Sequence, residues 1–496
     1  MSSGWALRTS SSLLISCRLA LHSYDGCVGD VIVVGSGGAG VSAAVEAAAR
    51  GASVIVVEAA AQVGGTASAA AGGTCVAGSP LQAELGIHDS PDRALADWLA
   101  WGGETAHAEW ARRYLEASVP DVYAWLGELG VTWYEVRPHE GNSVPRWHAP
   151  RGGGRAVMRA LTAHARGYDG IDWLTDTRAT SLVTEAGRVT GVVVATPAGQ
   201  RELRAAAVVV ASGGFNNNET MLRRHSAAAR SAPRILLGGG AGARGDGHRI
   251  LADAGADFRH LDVVWMYAYA TPDPDDPGSR RGLVLRGLDG DVWVDRRGHR
   301  FHNEARRGGA TGTPALLAQE SGTCWSVIDA GIAARFYVSD PAYRDGGTPL
   351  RDRLDRLLDI SPFVVSGDDL AQVGRRAGID GTQLRETVED HNRARRSGLP
   401  ADPHFGRPLR GLEPLDQPPF HAIQLFPLAR KNLGGVHTDL DGRVLDRRGL
   451  AIPGLYAAGE VAGMAGGHIN GAAALEGTMF GPSIFSGRVA GRSLAS

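Results

Sequence analysis

The sequence predicts an α/β fold whose first unit is Rossmann-like, and three adjoining stretches predict it. Asp30-Val-Ile-Val-Val34 is a short β-branched run. Gly35-Ser-Gly37-Gly-Ala-Gly40 follows at once and opens an alanine-rich stretch to Arg50, and Ser53 to Val57 is a second β-branched run ending at Glu58. Strand, glycine turn, helix and strand in that order form a βαβ unit of the dinucleotide-binding kind.

Each part of that unit has a physical task. Gly35 permits the tight turn, Gly37 lets backbone approach a pyrophosphate, and Gly40 allows the helix to pack closely on the strand. The helix N-terminus offers free N–H groups to anionic phosphate. Glu58 lies 18 residues after Gly40, where an acid can accept both ribose hydroxyls. A glycine turn without a ligand is the alternative, and the strands on both sides speak against it. These residues alone leave NAD and FAD open.

Later elements extend the pattern. Gln62 to Thr74 is a loop of small residues, placed where backbone can crowd a flat ligand. Pro91 to Trp101, Ala106 to Ser118 and Arg155 to Ala165 carry apolar residues at helical spacing. Arg178 to Val194 and then Ala206 to Val210 read as a β-meander turning at Gly187 and running into Ala211-Ser-Gly-Gly-Phe215. Gly454-Leu-Tyr-Ala-Ala-Gly-Glu460 is another strand that ends at glycine and an acid. Gly240-Ala-Gly242-Ala-Arg-Gly245 repeats the glycine spacing without a second βαβ unit and is expected to be a turn, not a separate nicotinamide site.

Composition narrows the function. The chain has 496 residues, 43% hydrophobic and 21% charged, and a net charge of −2. That balance suits a globular protein of two to four domains and gives no basic field for nucleic acid. No apolar run approaches a transmembrane segment. Cys17, Cys27, Cys75 and Cys324 form no CxxC and no CxxCH, so neither an attached c-type haem, a zinc ribbon nor a disulfide framework is expected, and a reducing, cytoplasmic compartment fits; no metal-ligand residues are expected. Residues 1–29, serine-rich with Arg8 and Arg18, read as a tail, a weak targeting segment or the product of a misplaced start. Lys431 is the only lysine, so arginine carries almost all the positive charge.

With these motifs in order, from VIVVGSGGAG through VGGTASAAAGG, VVVASGGF, GARGDGHRILADAGA, RFHNE and NLGGV to GLYAAGEVAG, the chain resembles the fumarate reductase and succinate dehydrogenase flavoprotein class, which includes 3-ketosteroid dehydrogenases. The resemblance implies FAD, held in a Rossmann-like domain built from two sequence segments with an inserted α+β capping domain. The expected division is 30–259 for the first FAD segment, 260–418 for the cap and 419–496 for the second FAD segment. It implies that Gly35, Gly37, Gly38, Ala39 and Gly40 cradle the pyrophosphate and that Glu58 takes the adenosine ribose. Gly65, Thr66, Ser68, Gly72 and Gly73 would line the flavin side, and Gly459 with Glu460 would reach the ribityl chain. No histidine stands in the loop Thr66 to Ala71, where members of membrane complexes tether the flavin, so the FAD is expected to be non-covalent.

The chemistry implied is interconversion of CH–CH and C=C next to a carbonyl, with protein groups for the proton and the oxygen. The chain departs from the fumarate pattern. After Arg300-Phe-His-Asn-Glu304 the strict register lands on Gly308, with Arg306 and Arg307 nearest. Arg430, Lys431 and Asn432 precede Gly434-Gly435 where histidines are expected, and Gly467-His-Ile-Asn-Gly471 has no arginine. The segment Gly467 to Gly481 is closer to 3-ketosteroid dehydrogenases, with His468 in place of a tyrosine. The expected catalytic set is therefore His468, Lys431, Arg307, Tyr267 and Tyr269, with His468 and Lys431 facing the flavin. The expected substrate is a cyclic ketone or bulky acid, served by an external electron acceptor or donor. The alternatives are a fumarate-type reductase clamping its substrate with Arg307 and Lys431, or a flavin-binding protein without ene chemistry.

Overall fold

The β-branched runs pair as strands side by side. In the computed structural model, which describes residues 27–276, 278–340, 343 and 350–494, the Cys27–Val34 strand lies parallel to Val54–Val57 on one side and to Gly199–Val210 on the other. The expected tail thus falls, up to residue 26, outside the described residues, and the first strand begins at Cys27 instead of Asp30. Ile171–Leu174 extends the sheet beyond Val54–Val57, and Ala451–Ala457 followed by Arg443–Leu445 extends it beyond Gly199–Val210. A strand from near the C-terminus therefore belongs to the same sheet as the first strand.

Both faces of this sheet are covered, which is why its strands read as continuous apolar runs and not as alternation. Val31, Val33, Val54 and Val56 face one side, with Val41, Ala44 and Val45 of the Gly38–Ala48 helix in the same core. Ile32, Val34, Ile55 and Val57 face the other, toward Val192 and Val194 of the meander and Ile250. The meander forms as the sequence indicates, from Arg178–Glu185, Arg188–Thr196 and Gly199–Val210, with Gly187 at φ +77° in its first turn. Helices at Pro91–Gly102, Ala108–Ala117 and Gly153–Ala165 match the helical spacings.

The two ends of the chain are locked together by helices. Gly38–Ala48 packs along Phe480–Ser493, where a Cβ on Gly487 would collide with the Ala39 carbonyl, so glycine sets the close approach. Glu46 completes the contact, pairing with Arg50 at 2.7 Å, Arg488 at 2.5 Å and Arg492 at 3.0 Å.

A second, mainly antiparallel sheet orders Val292–Val294, Cys324–Ile328, Phe420–Asn432, Val264–Pro272, Gly282–Arg286 and Tyr337–Val338. Its central strand is Phe420–Asn432, which pairs with Val264–Pro272 and Cys324–Ile328 and also with Val364–Gly367. That strand was expected in the returning FAD segment. Its pairing places it in the second sheet, and the chain rejoins the first sheet at Arg443–Leu445. The chain thus passes from one sheet to the other along Lys431 and Asn432, and the cavity described next opens there.

Candidate active site

A cavity of about 370 Å³ runs from the glycine turn of the first sheet to the strands of the second. At its first end Gly35 adopts φ +102°, and a Cβ there would stand 2.5 Å from the Ala211 carbonyl. A Cβ on Gly40 would collide with the Gly35 carbonyl. Gly37 differs: a Cβ would meet nothing within 4 Å, so its missing side chain leaves open space in front of the helix. Gly37 caps that helix without a side-chain hydrogen bond, so the first N–H groups stay available.

Glu58 closes this end. Its Oε2 accepts from the Ser36 amide at 3.0 Å and the Ser36 hydroxyl at 2.6 Å, and its Oε1 accepts from the Ala60 amide at 2.8 Å. A carboxylate has about four acceptor sites, so one remains for a ribose hydroxyl, not the two expected. Uncapped N–H groups, an open glycine and a carboxylate with a free lone pair fit the pyrophosphate and ribose of FAD.

Along the middle, Gly65, Thr66, Gly72 and Gly73 line the cavity opposite Gly459 and Glu460. Gly73 is required because a Cβ would enter the Trp147 ring. Glu460 accepts from the Asn432 amide at 2.9 Å and Asn216 Nδ2 at 2.5 Å, and burial raises its pKa. Gly40 and Ser68 sit behind the lining, Gly40 as a packing residue and Ser68 in the short Gly65–Ala69 helix, its amide bonded to the Gly64 carbonyl at 3.3 Å. Gly242, Ala243, Asp246 and Gly247 line this same cavity, so the second glycine cluster is a turn into the Asp246–Asp253 helix.

The far end holds the reactive side chains. Tyr267 Oη donates to Glu476 Oε1 at 3.1 Å and accepts from Lys431 Nζ at 3.3 Å. Trp265 and Lys431 are paired in register across Val264–Pro272 and Phe420–Asn432, which brings Lys431 beside Tyr267. Tyr269 stacks behind Tyr267, with ring centroids 4.8 Å apart. Arg286 lies over both rings, and His139, Trp147, Val284, Tyr337 and Ser339 complete the wall.

Charge and burial tune this group. Burial depresses the Lys431 pKa against the pull of Glu476. Burial alone would raise Glu476, but the charges of Lys431, His139 and Arg286 hold it below the usual carboxylate range. Burial and the Glu476 charge push the Tyr267 phenol up, and burial depresses His139. The result is a neutral phenol between an ammonium and a carboxylate, able to pass or accept a proton.

The expected catalytic residues are only partly brought together. Lys431 and Tyr267 reach the cavity and Tyr269 supports them. His468 does not line it. Gly466 and Gly467, both at positive φ, turn the chain so that the imidazole packs 5.1 Å from His107 and 5.2 Å from His260, with Nδ1 3.0 Å from the Gly466 carbonyl. Arg307 is likewise engaged elsewhere, 3.0 Å from Asp291 and donating to the Glu304 carbonyl at 2.9 Å. Glu304 is buried and takes both Arg300 nitrogens at 2.7 Å, so that loop is an internal ion network. Sequence reasoning missed Glu476, Arg286, His139 and Trp147. Glu476 left a signal, as the only acid in the small-residue segment from Gly467 to Gly481.

The FAD binding domain family matches residues 30–479. A KsdD-like steroid dehydrogenase of Mycobacterium tuberculosis strain H37Rv is 32% identical, over 97% of this chain and 98% of that protein. A fumarate reductase (cytochrome) of Shewanella frigidimarina is 31% identical, over 96% of this chain and 79% of that protein. The crystal structure of a 3-ketosteroid-Δ4-(5α)-dehydrogenase of Rhodococcus jostii RHA1, in complex with 4-androstene-3,17-dione, superposes with a TM-score of 0.73 at 26% identity, covering 96% of this chain and 99% of that one.

Proposed function

The chain belongs to the FAD binding domain family and is an FAD-dependent oxidoreductase, and from that premise we propose that it interconverts CH–CH and C=C next to the carbonyl of a bulky ring ketone. The observation that carries this reading is the Lys431–Tyr267–Glu476 group at the far end of the cavity, faced by Trp147, Val284 and Tyr337. Bound FAD would supply a hydride acceptor or donor. Tyr267 holds or moves the proton at its Oη, Glu476 takes the hydrogen bond that orients it, and Lys431 keeps a cation beside the oxygen where negative charge develops. Trp147, Val284 and Tyr337 offer a flat substrate an apolar face.

The cofactor is held non-covalently in this reading, since Thr66 to Ala71 offers no histidine for a tether. The second sheet acts as a cap inserted between two segments of the FAD domain, with the return after Asn432 instead of at Pro419. Electrons pass to or from an external partner. No helix among the described residues is long and apolar enough to cross a membrane, and a cytoplasmic site agrees with the unpaired thiols of Cys75 and Cys324. A fumarate-type clamp is less well supported, because Arg307 is committed to Asp291.

The test is product analysis. Incubating the holoenzyme with 4-androstene-3,17-dione and an artificial electron acceptor should yield a product lacking two hydrogens in the ketone ring. Failure of every ring ketone, with turnover of fumarate by the reduced enzyme, would overturn the proposal.

A further inference from the structure

Four cations line the cavity near its substrate end, Arg137, Arg286, Arg430 and Lys431, and they differ in how they are balanced; Arg430 donates to the Gly238 carbonyl. Arg137 is 2.6 Å from Glu135 Oε2. Lys431 has Tyr267 and the charge of Glu476 beside it. Arg286 makes no ion pair with a carboxylate among the described residues. Its guanidinium instead rests over two rings, 4.8 Å from the Tyr269 centroid and 5.5 Å from that of Tyr267.

Two physical points follow. The ring faces favour the cation and hold its plane, so the fork of N–H donors is set before a ligand arrives. Those donors make no hydrogen bond among the described residues, and the charge of Glu476, which favours the cation, reaches it without a direct ion pair. A planar five-donor group held in this way is suited to bidentate recognition of a carboxylate. Glu476, the carboxylate whose charge reaches Arg286, is already shared with Lys431 and Tyr267.

We propose that the substrate carries a carboxylate and that Arg286 is its receptor, so that the substrate class is a bulky ketone that is also an acid. This rests on the reading of the cavity given above. Val284, two residues before Arg286 on the same strand, and Tyr337, its partner in register, would contact the apolar body beside the acid group. The neutral ketone alone would leave Arg286 unmatched.

The experiment uses oxidised, FAD-loaded enzyme and two probes that share one ring ketone, 4-androstene-3,17-dione and 3-oxo-4-androstene-17β-carboxylate. Anaerobic titration, followed by the change in flavin absorbance, gives a Kd for each. The acid should bind about tenfold or more tightly than the dione, a difference that shrinks as salt is raised. Arg286→Leu should bring the two Kd values within about threefold, and Arg286→Lys should retain part of the preference. Equal or tighter binding of the dione to the unmodified enzyme would overturn the proposal, as would an undiminished preference in Arg286→Leu. If the acid binds more tightly but neither probe ever bleaches the flavin, the acid receptor stands and the proposed ketone reaction fails.

Discussion

Tyr267 and Glu476, distant in sequence, meet across a 3.1 Å hydrogen bond in which the phenol donates to the carboxylate. Lys431 approaches the same phenol oxygen at 3.3 Å. Tyr267→Phe removes the hydroxyl and keeps the ring stacked on Tyr269. It should slow flavin reduction by substrate about 10²- to 10⁴-fold with FAD content unchanged, the range for loss of a general acid or base. A stopped-flow trace within about threefold of the unmodified enzyme would remove Tyr267 from the chemistry.

The glycine turn separates binding from folding. Gly37 has φ −71° and open space where a Cβ would stand. Gly37→Val should leave the melting temperature of the FAD-free protein almost unchanged and weaken FAD binding about tenfold or more, because the new side chain enters the pyrophosphate path. Gly40→Ala should instead destabilise the protein itself, since its Cβ meets the Gly35 carbonyl. Equal FAD affinity in Gly37→Val, measured by equilibrium dialysis, would contradict this assignment.

His468 lies outside the cavity lining, so His468→Ala should retain flavin reduction within about threefold. It should act on stability instead, through the packing of His107 and His260. A loss of about 10²-fold at full FAD occupancy would return His468 to the chemistry.

His248 gives an acid signature. It is 3% exposed, between Phe215 and Phe258, with no hydrogen-bond partner for either ring nitrogen among the described residues. Burial and the nearby charge of His225 push its pKa down to about 3, against about 6.5 in an unfolded chain. Between those values the unfolded state binds the extra proton, so stability is intact above about pH 6.5 and is lost as pH falls toward 3. His248→Met should reduce the loss between pH 7 and pH 4.5 by at most about 3 kcal/mol in urea titrations. His148 and His468, both pushed down to about 4, keep part of the slope. An unchanged acid slope in His248→Met would show that the residue titrates freely.

Much of the first sheet was legible because a parallel strand buried on both faces must be a continuous apolar run, and a glycine turn between two such runs has few uses. The sheet that Phe420–Asn432 joins was not, because this long strand is placed by pairing with distant partners and carries no local mark of which sheet it joins. Lys431 was visible by its rarity and Tyr267 by its place within the expected cap, 260–418. Arg286 ends an ordinary apolar strand, and its meaning depends on two tyrosines that reach it only through the fold. His468 stands off the cavity lining because its position in the motif predicts where the backbone goes, whereas two glycines at positive φ decide where the imidazole goes.

The most direct test of the central claim is anaerobic bleaching of the bound flavin. Mixed without oxygen, the holoenzyme and a saturated ring ketone should lose the yellow flavin absorbance in one exponential phase that Tyr267→Phe slows about 10²-fold or more, while succinate leaves the spectrum unchanged. Bleaching by succinate and not by any ring ketone would contradict the account.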